Sequence, residues 1–212
     1  MRKIGILGVL MVLTLIFTGC GNNDGNNSGN SIIDNITEKK TFSRGAWNEK
    51  TYTSEFSDIE VTVPTDWVVA TDEEIATLME LGEDALTGGN ELANKIAKMK
   101  TVYDAMAQNI YTGSNVIVMY ENLALSIGGS SLDEKGYLDI VKTQIGGMGE
   151  ESRVTGEIYE EKIGEHTYYA LPTELTDMGI KQVYYARRVD NYMACILTTT
   201  VGDEDLKAFI KK

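Results

Sequence analysis

Ile59, Val61 and Val63 alternate with Asp58, Glu60 and Thr62. A two-residue period of this kind puts one face of a strand in a core and the other in water. Pro64 closes the strand, and Trp67 follows it. Just upstream, Trp47 and Tyr52 flank the turn-like Asn48-Glu49-Lys50, which predicts a short strand pair. The period then lengthens. Thr71-Asp72-Glu73-Glu74 is a capping box, in which the Thr hydroxyl bonds an orphan N–H and Glu74 reaches back. Ile75, Leu78 and Met79 form the buried stripe of the helix it opens, and Gly82 offers an end. Beyond Gly88-Gly89, Leu92, Ile96, Met99, Tyr103 and Met106 recur at spacings of 4, 3, 4 and 3. That seam predicts an inserted long helix over 90–107. Its methionines read as core, with an adaptable partner surface as the alternative.

The second half of the chain is richer in strands. Residues 116–120 are almost continuously apolar, as a central strand covered on both faces would be. Ser131-Leu132-Asp133-Glu134 is a second capping box, opening a helix whose Tyr137, Leu138, Val141 and Ile145 share a face. Strands follow at 157–162, 167–172, 181–189 and 192–200, the last two joined by Asp190-Asn191 as a two-residue type I′ turn. Asp203 is placed to cap a last helix that buries Leu206, Phe209 and Ile210. This order of elements predicts an α+β domain: an antiparallel sheet with helices packed on its faces.

The N-terminal region has a different texture. Arg2 and Lys3 precede 14 uncharged residues, Ile4 to Phe17, a length that suits a signal-peptide core and falls short of a membrane-spanning helix. Phe17-Thr18-Gly19-Cys20 resembles the lipobox of bacterial lipoproteins, with Phe17 where that family favours Leu. The resemblance implies cleavage after Gly19 and attachment of lipid, with palmitate-type chains, at Cys20. Two acyl chains hold a protein on a bilayer where one holds it only marginally. Gly21 to Asn30 then contain five Asn and three Gly, with almost nothing to bury. Such a segment cannot repay the entropy of ordering, and the roughly twenty residues from Cys20 to Lys40 would span about 25 Å r.m.s. as a flexible tether. The division is therefore a lipoprotein signal peptide at 1–19, a tether at 20–40 and a single domain at 41–212. Asp24, Asn26, Ser28 and Gly29 imitate the start of a calcium loop, but Asn35 stands where a bidentate carboxylate is needed.

The stretch "YTSEFSDIEVTVPTDW", with Tyr52, Phe56, Val61, Val63, Pro64 and Trp67, resembles the opening of the PsbP-like fold. That class includes the photosystem II oxygen-evolving P protein and bacterial DcrB-type lipoproteins. The typical motif carries Gly before the Trp, where this chain has Asp66. The chain is also similar to uncharacterised lipoproteins of Gram-positive gut bacteria that share a "YENL" strand end, here Tyr120 to Leu123. The PsbP-like resemblance implies a protein that binds and stabilises larger assemblies.

Charge and chemistry narrow the rest. The chain carries −13, and residues 1–19 hold two of its 19 basic residues and none of its 32 acids, so the part from Cys20 carries −15. Nucleic acid and anionic lipid are disfavoured partners. With Cys20 acylated, Cys195 has no cysteine to pair with and reads as a small buried hydrophobe. His166 is the only histidine, and neither a nucleophile elbow nor a metal-binding spacing accompanies it. The glycine clusters at 128–129 and 146–149 punctuate helices and do not match a phosphate loop. Catalytic residues, cofactor and metal are accordingly expected to be none. The expected role is a non-enzymatic accessory or binding module, lipid-anchored on the extracytoplasmic face of the cell membrane. Its partner would be another envelope protein or a cell-wall component. A carrier of a small apolar ligand, held between sheet and helices by Trp67 and the methionines, is the alternative, and a hydrolase is a lesser one. Candidate contacts are Lys95 and Lys98 on the long helix and Tyr184 and Arg187 on the C-terminal hairpin, within a group of tyrosines that also includes Tyr168, Tyr169, Tyr185 and Tyr192.

Overall fold

Alternation along the central strands sets the architecture. The computed structural model describes residues 40–77, 100–126, 128–147, 152–176 and 179–212. Strands β1 (Ala46–Asn48), β2 (Thr51–Ser54) and β3 (Ile59–Thr62) form a small antiparallel sheet. The large sheet has eight strands: β4 (Val68–Val69), β5 (Thr101–Gln108), β6 (Asn115–Asn122), β7 (Ser152–Val154), β8 (Tyr159–Ile163), β9 (His166–Leu175), β10 (Ile180–Val189) and β11 (Tyr192–Thr200). Its order is β4-β5-β6-β11-β10-β9-β7, with β8 also paired to β9, and every pairing is antiparallel.

Successive residues of β6 and β11 feed two cores. Val116, Val118 and Tyr120 join Ala194 and Ile196 against Tyr52, Ile59 and Val61 of the small sheet. Ile117 and Met119 join Met193, Cys195 and Leu197 against Tyr137, Leu138, Val141 and Ile145 of helix α1 (Glu134–Gly147). The large sheet is thus the middle of three layers, and the apolar run at 116–120 is a central strand buried on both sides. The expectation of helices on its faces is met on one face only; the other is covered by β1–β3. Tyr52, Phe56, Val61, Val63 and Trp67 of the stretch "YTSEFSDIEVTVPTDW" all lie in that second core, at 3% exposure or less.

The helix expected at 90–107 is corrected where it can be seen. Residues 101–108 are strand β5, paired with β6. The misleading signal has a physical origin. Tyr103 opposes Met119, Ala105 opposes Val118 and Met106 opposes Ile117, with a bulge between Tyr103 and Ala105. One extra residue shifts the facing of everything after it. Tyr103 and Met106, three apart as on a helix, therefore share the α1 face of a strand. Residues 78–99, with Leu78, Met79, Gly82 and the rest of that seam, lie outside the described residues.

Local signals fared unevenly. Thr71 and Glu74 form the capping box: Glu74 N donates to Thr71 Oγ1 (3.3 Å), and Thr71 N donates to Glu74 Oε2 (2.8 Å). The second box is replaced. Asp133 caps α1 by accepting from Gly136 N (2.8 Å), while Ser131 ends a 3-10 turn and Glu134 accepts from Arg188 N. The last helix is only the 3-10 turn Leu206–Phe209, capped by Asp205 rather than Asp203. Ile210 has instead left the helix to bridge Val61 of β3. The β10–β11 loop has the two residues expected, but a type I′ turn needs positive φ at both, and only Asp190 (51°) has it.

The bulged residue, Asp104, is a joint. Its side chain is fully buried and accepts from Arg44 Nε (2.7 Å), Gly45 N (2.7 Å) and Tyr52 Oη. Gly45 is required there, because a Cβ would meet Tyr52 Oη at 2.5 Å and Thr53 O at 2.6 Å. In the arm that carries Arg44, the N–H of Lys40 donates to Asp190 (2.8 Å) in the β10–β11 turn. Phe42 of the same arm stacks on Tyr192 (4.7 Å) and meets Phe56 and Tyr120 edge-on.

Removing one partner of a buried, hydrogen-bonded charge leaves the rest uncompensated. Asp104→Ala is expected to destabilise the domain by about 3–5 kcal/mol in urea unfolding. Arg44→Ala leaves the same carboxylate buried without its cation, so it should also destabilise, by about 2–3 kcal/mol. Unfolding midpoints that barely move in either variant would show that the carboxylate is not the joint.

Candidate functional site

The end of the large sheet farthest from Lys40 carries an unusual loop. Strands β5 and β6 close at Gln108 opposite Asn115, leaving residues 109–114 as their connection. Asn109, 7% exposed, organises it. Its Oδ1 accepts from Tyr111 N (2.9 Å) and Thr112 N (3.3 Å), its C=O accepts from Gly113 N (2.8 Å), and its N–H donates to Ser114 O (2.8 Å). Thr112 Oγ1 accepts from Ser114 N (3.2 Å), and Ser114 Oγ accepts from Val201 N (3.1 Å) at the end of β11. Gly113 supplies the positive φ (87°) that turns the chain back.

With its amides bonded in this way, the loop holds its shape without the side chains of Ile110 and Tyr111. These point outward, 50% and 82% exposed, and lead the large apolar side chains in exposure among the described residues. No acid or base occurs from Ala105 to Tyr120, in a chain of net charge −13. The arrangement is an ordered, uncharged apolar tip on an acidic body. Its chemistry is that of contact: an aromatic ring with a polar end and a branched aliphatic chain, carried outward on a hydrogen-bonded backbone. The stretch "QNIYTGSN" drew no reading from the sequence, in which the uncharged run around an aromatic was the signal present.

The residues singled out from sequence fall elsewhere. Cys20, Lys95 and Lys98 lie outside the described residues. Tyr184 is 4% exposed beneath α1, and Tyr185, on the opposite face, is equally buried under the small sheet. Alternation separates the pair as expected, but both faces are covered, so Tyr184 is a core side chain and offers no outer contact. Arg187 is an internal clamp: its Nη2 donates to Ser57 O, and its guanidinium lies 5.3 Å from the Tyr168 ring centre. Arg188 ties down the approach to α1 through Leu132 O (2.8 Å) and Ser130 O (3.0 Å). Tyr168 is wholly buried, Tyr169 bonds Glu160 (2.9 Å) and Tyr192 carries the Phe42 stack. Trp67, the suggested pocket lining, is 2% exposed and meets Phe209 edge-on at 5.1 Å.

Three polar groupings bear on chemistry. His166 Nε2 lies 2.9 Å from Asp58 Oδ2, and that bond holds the Asp58 carboxyl below its ordinary range. The nearby Ser57 hydroxyl is engaged inward, with Tyr120 Oη (2.6 Å) and Ser54 Oγ (3.0 Å). Lys100 and Glu121 form a buried ion pair (2.8 Å), and burial pushes the lysine down and the carboxyl up, against their mutual attraction. Cys195 lies close by, hydrogen-bonded with Tyr137, and burial pushes its thiol up to about 12. Among the described residues no three His, Cys, Asp or Glu side chains converge as metal ligands would.

The Cys195 shift has a sign that can be tested. An unfolded thiol titrates near ~8.5. The folded protein keeps its proton to higher pH, so stability is full below the unfolded value and falls as pH rises from there toward about 12. The expected slope from this one group is on the order of 1 kcal/mol per pH unit. Cys195→Ala should lose that part of the alkaline decline in urea titrations at pH 7 to 10. The native thiol should also resist a maleimide at pH 7; rapid labelling would overturn the assignment.

No family model matches the sequence, and no curated protein matches it significantly. Among solved structures, the chain is similar to the solution structure of cyanobacterial PsbP (CyanoP) from Synechocystis sp. PCC 6803. The identity is 9%, over 77% of this chain and 84% of that one, with a TM-score of 0.42. At that score the likeness carries no argument about this chain.

Proposed function

We propose that the chain is a membrane-anchored lipoprotein whose domain serves as a non-enzymatic docking module for another envelope component. Lipid on Cys20 holds it to the extracytoplasmic face, and the PsbP-like character is read from the motif between Tyr52 and Trp67. The supporting observation is polarity. The arm meets the domain at Lys40, beside the β10–β11 turn, where Tyr192 opposes Asn122. The apolar tip lies beyond the other end of the same strand pair, where Thr199 opposes Asn115. Seven strand steps separate the two ends, about 23 Å at 3.3 Å per residue.

A domain held from one pole presents the other. Lipid chains and a tether supply retention and reach, and the ordered tip supplies a place to dock. Neither requires a reacting group, and the inward engagement of Ser57 leaves the His166–Asp58 pair as a surface tie between β9 and the end of β2–β3.

The anchor is tested by Cys20→Ala in the full chain. The variant is expected to leave the detergent phase and the membrane pellet for the soluble fraction, because both acyl chains go with the thiol. Its melting temperature should match that of the parent. A variant that still partitions with detergent would sink the lipid anchor.

A further inference from the structure

The tip has neighbours that define what it can meet. Strand β4 pairs with β5 at Val68 opposite Gln108, so the turn before β4 brings exposed Asp66 to the same pole. On the other side Val201, bonded to Ser114, leads directly to exposed Asp203 and Glu204. Among the described residues the nearby cations are Lys50, whose Nζ donates to Trp67 O, and Lys181, whose Nζ lies 3.9 Å from Asp203, so Glu204 and Asp66 remain as acids that no ion pair is described for. Ile110 and Tyr111 thus stand as an uncharged apolar pair between two acidic flanks.

Building on the docking role above, we propose that this tip inserts into an apolar pocket on a partner protein whose rim carries lysine or arginine. Each alternative occupant meets a physical objection. A bilayer with anionic lipid repels the acidic flanks, and the tip faces away from the pole where the tether enters. A second copy of the chain would bring the same acids against themselves. A basic-rimmed protein pocket satisfies both parts of the surface: apolar burial for the pair, and opposite charge for Asp66, Asp203 and Glu204. The bonded loop backbone is already ordered before contact, which lowers the backbone entropy lost on docking. Tyrosine at the centre of a small patch, ringed by charge, is the composition of an interaction hot spot.

The test places a photo-reactive p-benzoylphenylalanine at position 111 of the full, anchored chain in its native cells, with the same probe at the outward Tyr159 as comparison. Light should join position 111 to one protein, and the joined peptide, mapped by mass spectrometry, should have Lys or Arg beside apolar residues. Neutralising the flanks with Asp66→Asn, Asp203→Asn and Glu204→Gln should cut the yield several-fold and remove its dependence on salt. Ile110→Ser should lower the yield without moving the melting temperature. Adducts with lipid, with another copy of this chain, with a peptide lacking basic residues, or no adduct at all would each overturn the proposal. A protein adduct at position 159 with none at 111 would leave the docking role standing and remove the tip from it. Silence at both positions, together with Cys20→Ala retained in membranes, would remove both.

Discussion

A carboxylate buried where a strand bulges is the constraint around which this domain is organised. Asp104 has no water to solvate it, so its oxygens must be met by protein donors. Those donors come from three places: the guanidinium of Arg44, the backbone of Gly45 and the hydroxyl of Tyr52. In satisfying one charge, the fold ties the entering arm and the small sheet to the large sheet. The connection continues inward. Tyr52 Oη lies 3.4 Å from Tyr120 Oη, which meets Ser57, and the Ser57 carbonyl holds Arg187. A polar thread therefore runs through an otherwise apolar interface, and it fixes how the two sheets sit on one another more sharply than nonspecific burial could.

The same bulge marks the limit of what the sequence could tell. Period-2 alternation at Ile59, Val61 and Val63 is local and was legible, as was the strand at 192–200, whose bounds are those of β11. An extra residue at position 104 turned strand spacing into helix spacing, and no local pattern separates the two. The small sheet was legible as strands but not as a cover. With that face taken as open, Arg187 was read as an outer contact, although it reaches the β2–β3 connection at Ser57; Tyr184 lies on the other face, under α1. The tip at Ile110 and Tyr111 was missed for a related reason. A turn containing Gly113 is easily recognised, whereas the exposure of its apolar side chains depends on Asn109 satisfying the backbone from within.

Both edges of the large sheet are managed. On one side β4 contributes only two residues. On the other, β8 presents Glu160, Glu161 and Lys162, and a row of charges on an outer strand discourages pairing with a stray chain. The small sheet is closed differently: Lys211 N donates to Glu60 O, and Ile210 bridges Val61, so the end of the chain takes up the free side of β3. Sheet-to-sheet addition is thereby discouraged at these edges, leaving side-chain contact as the mode of association that the surface favours.

The entry of the arm has a mechanical meaning. Lys40 is bonded to the turn between β10 and β11, Phe42 rests on Tyr192 of β11, and Arg44 reaches the bulge in β5. Tension along the chain ahead of Lys40 would pass into strands in the middle of the eight, whose hydrogen bonds are shared with neighbours on both sides. Edge strands unzip one bond at a time under load; central strands resist until many bonds yield together. Were the domain moored ahead of Lys40 and gripped at its far end, as proposed, the pull would fall first on β10 and β11, in the middle of the sheet.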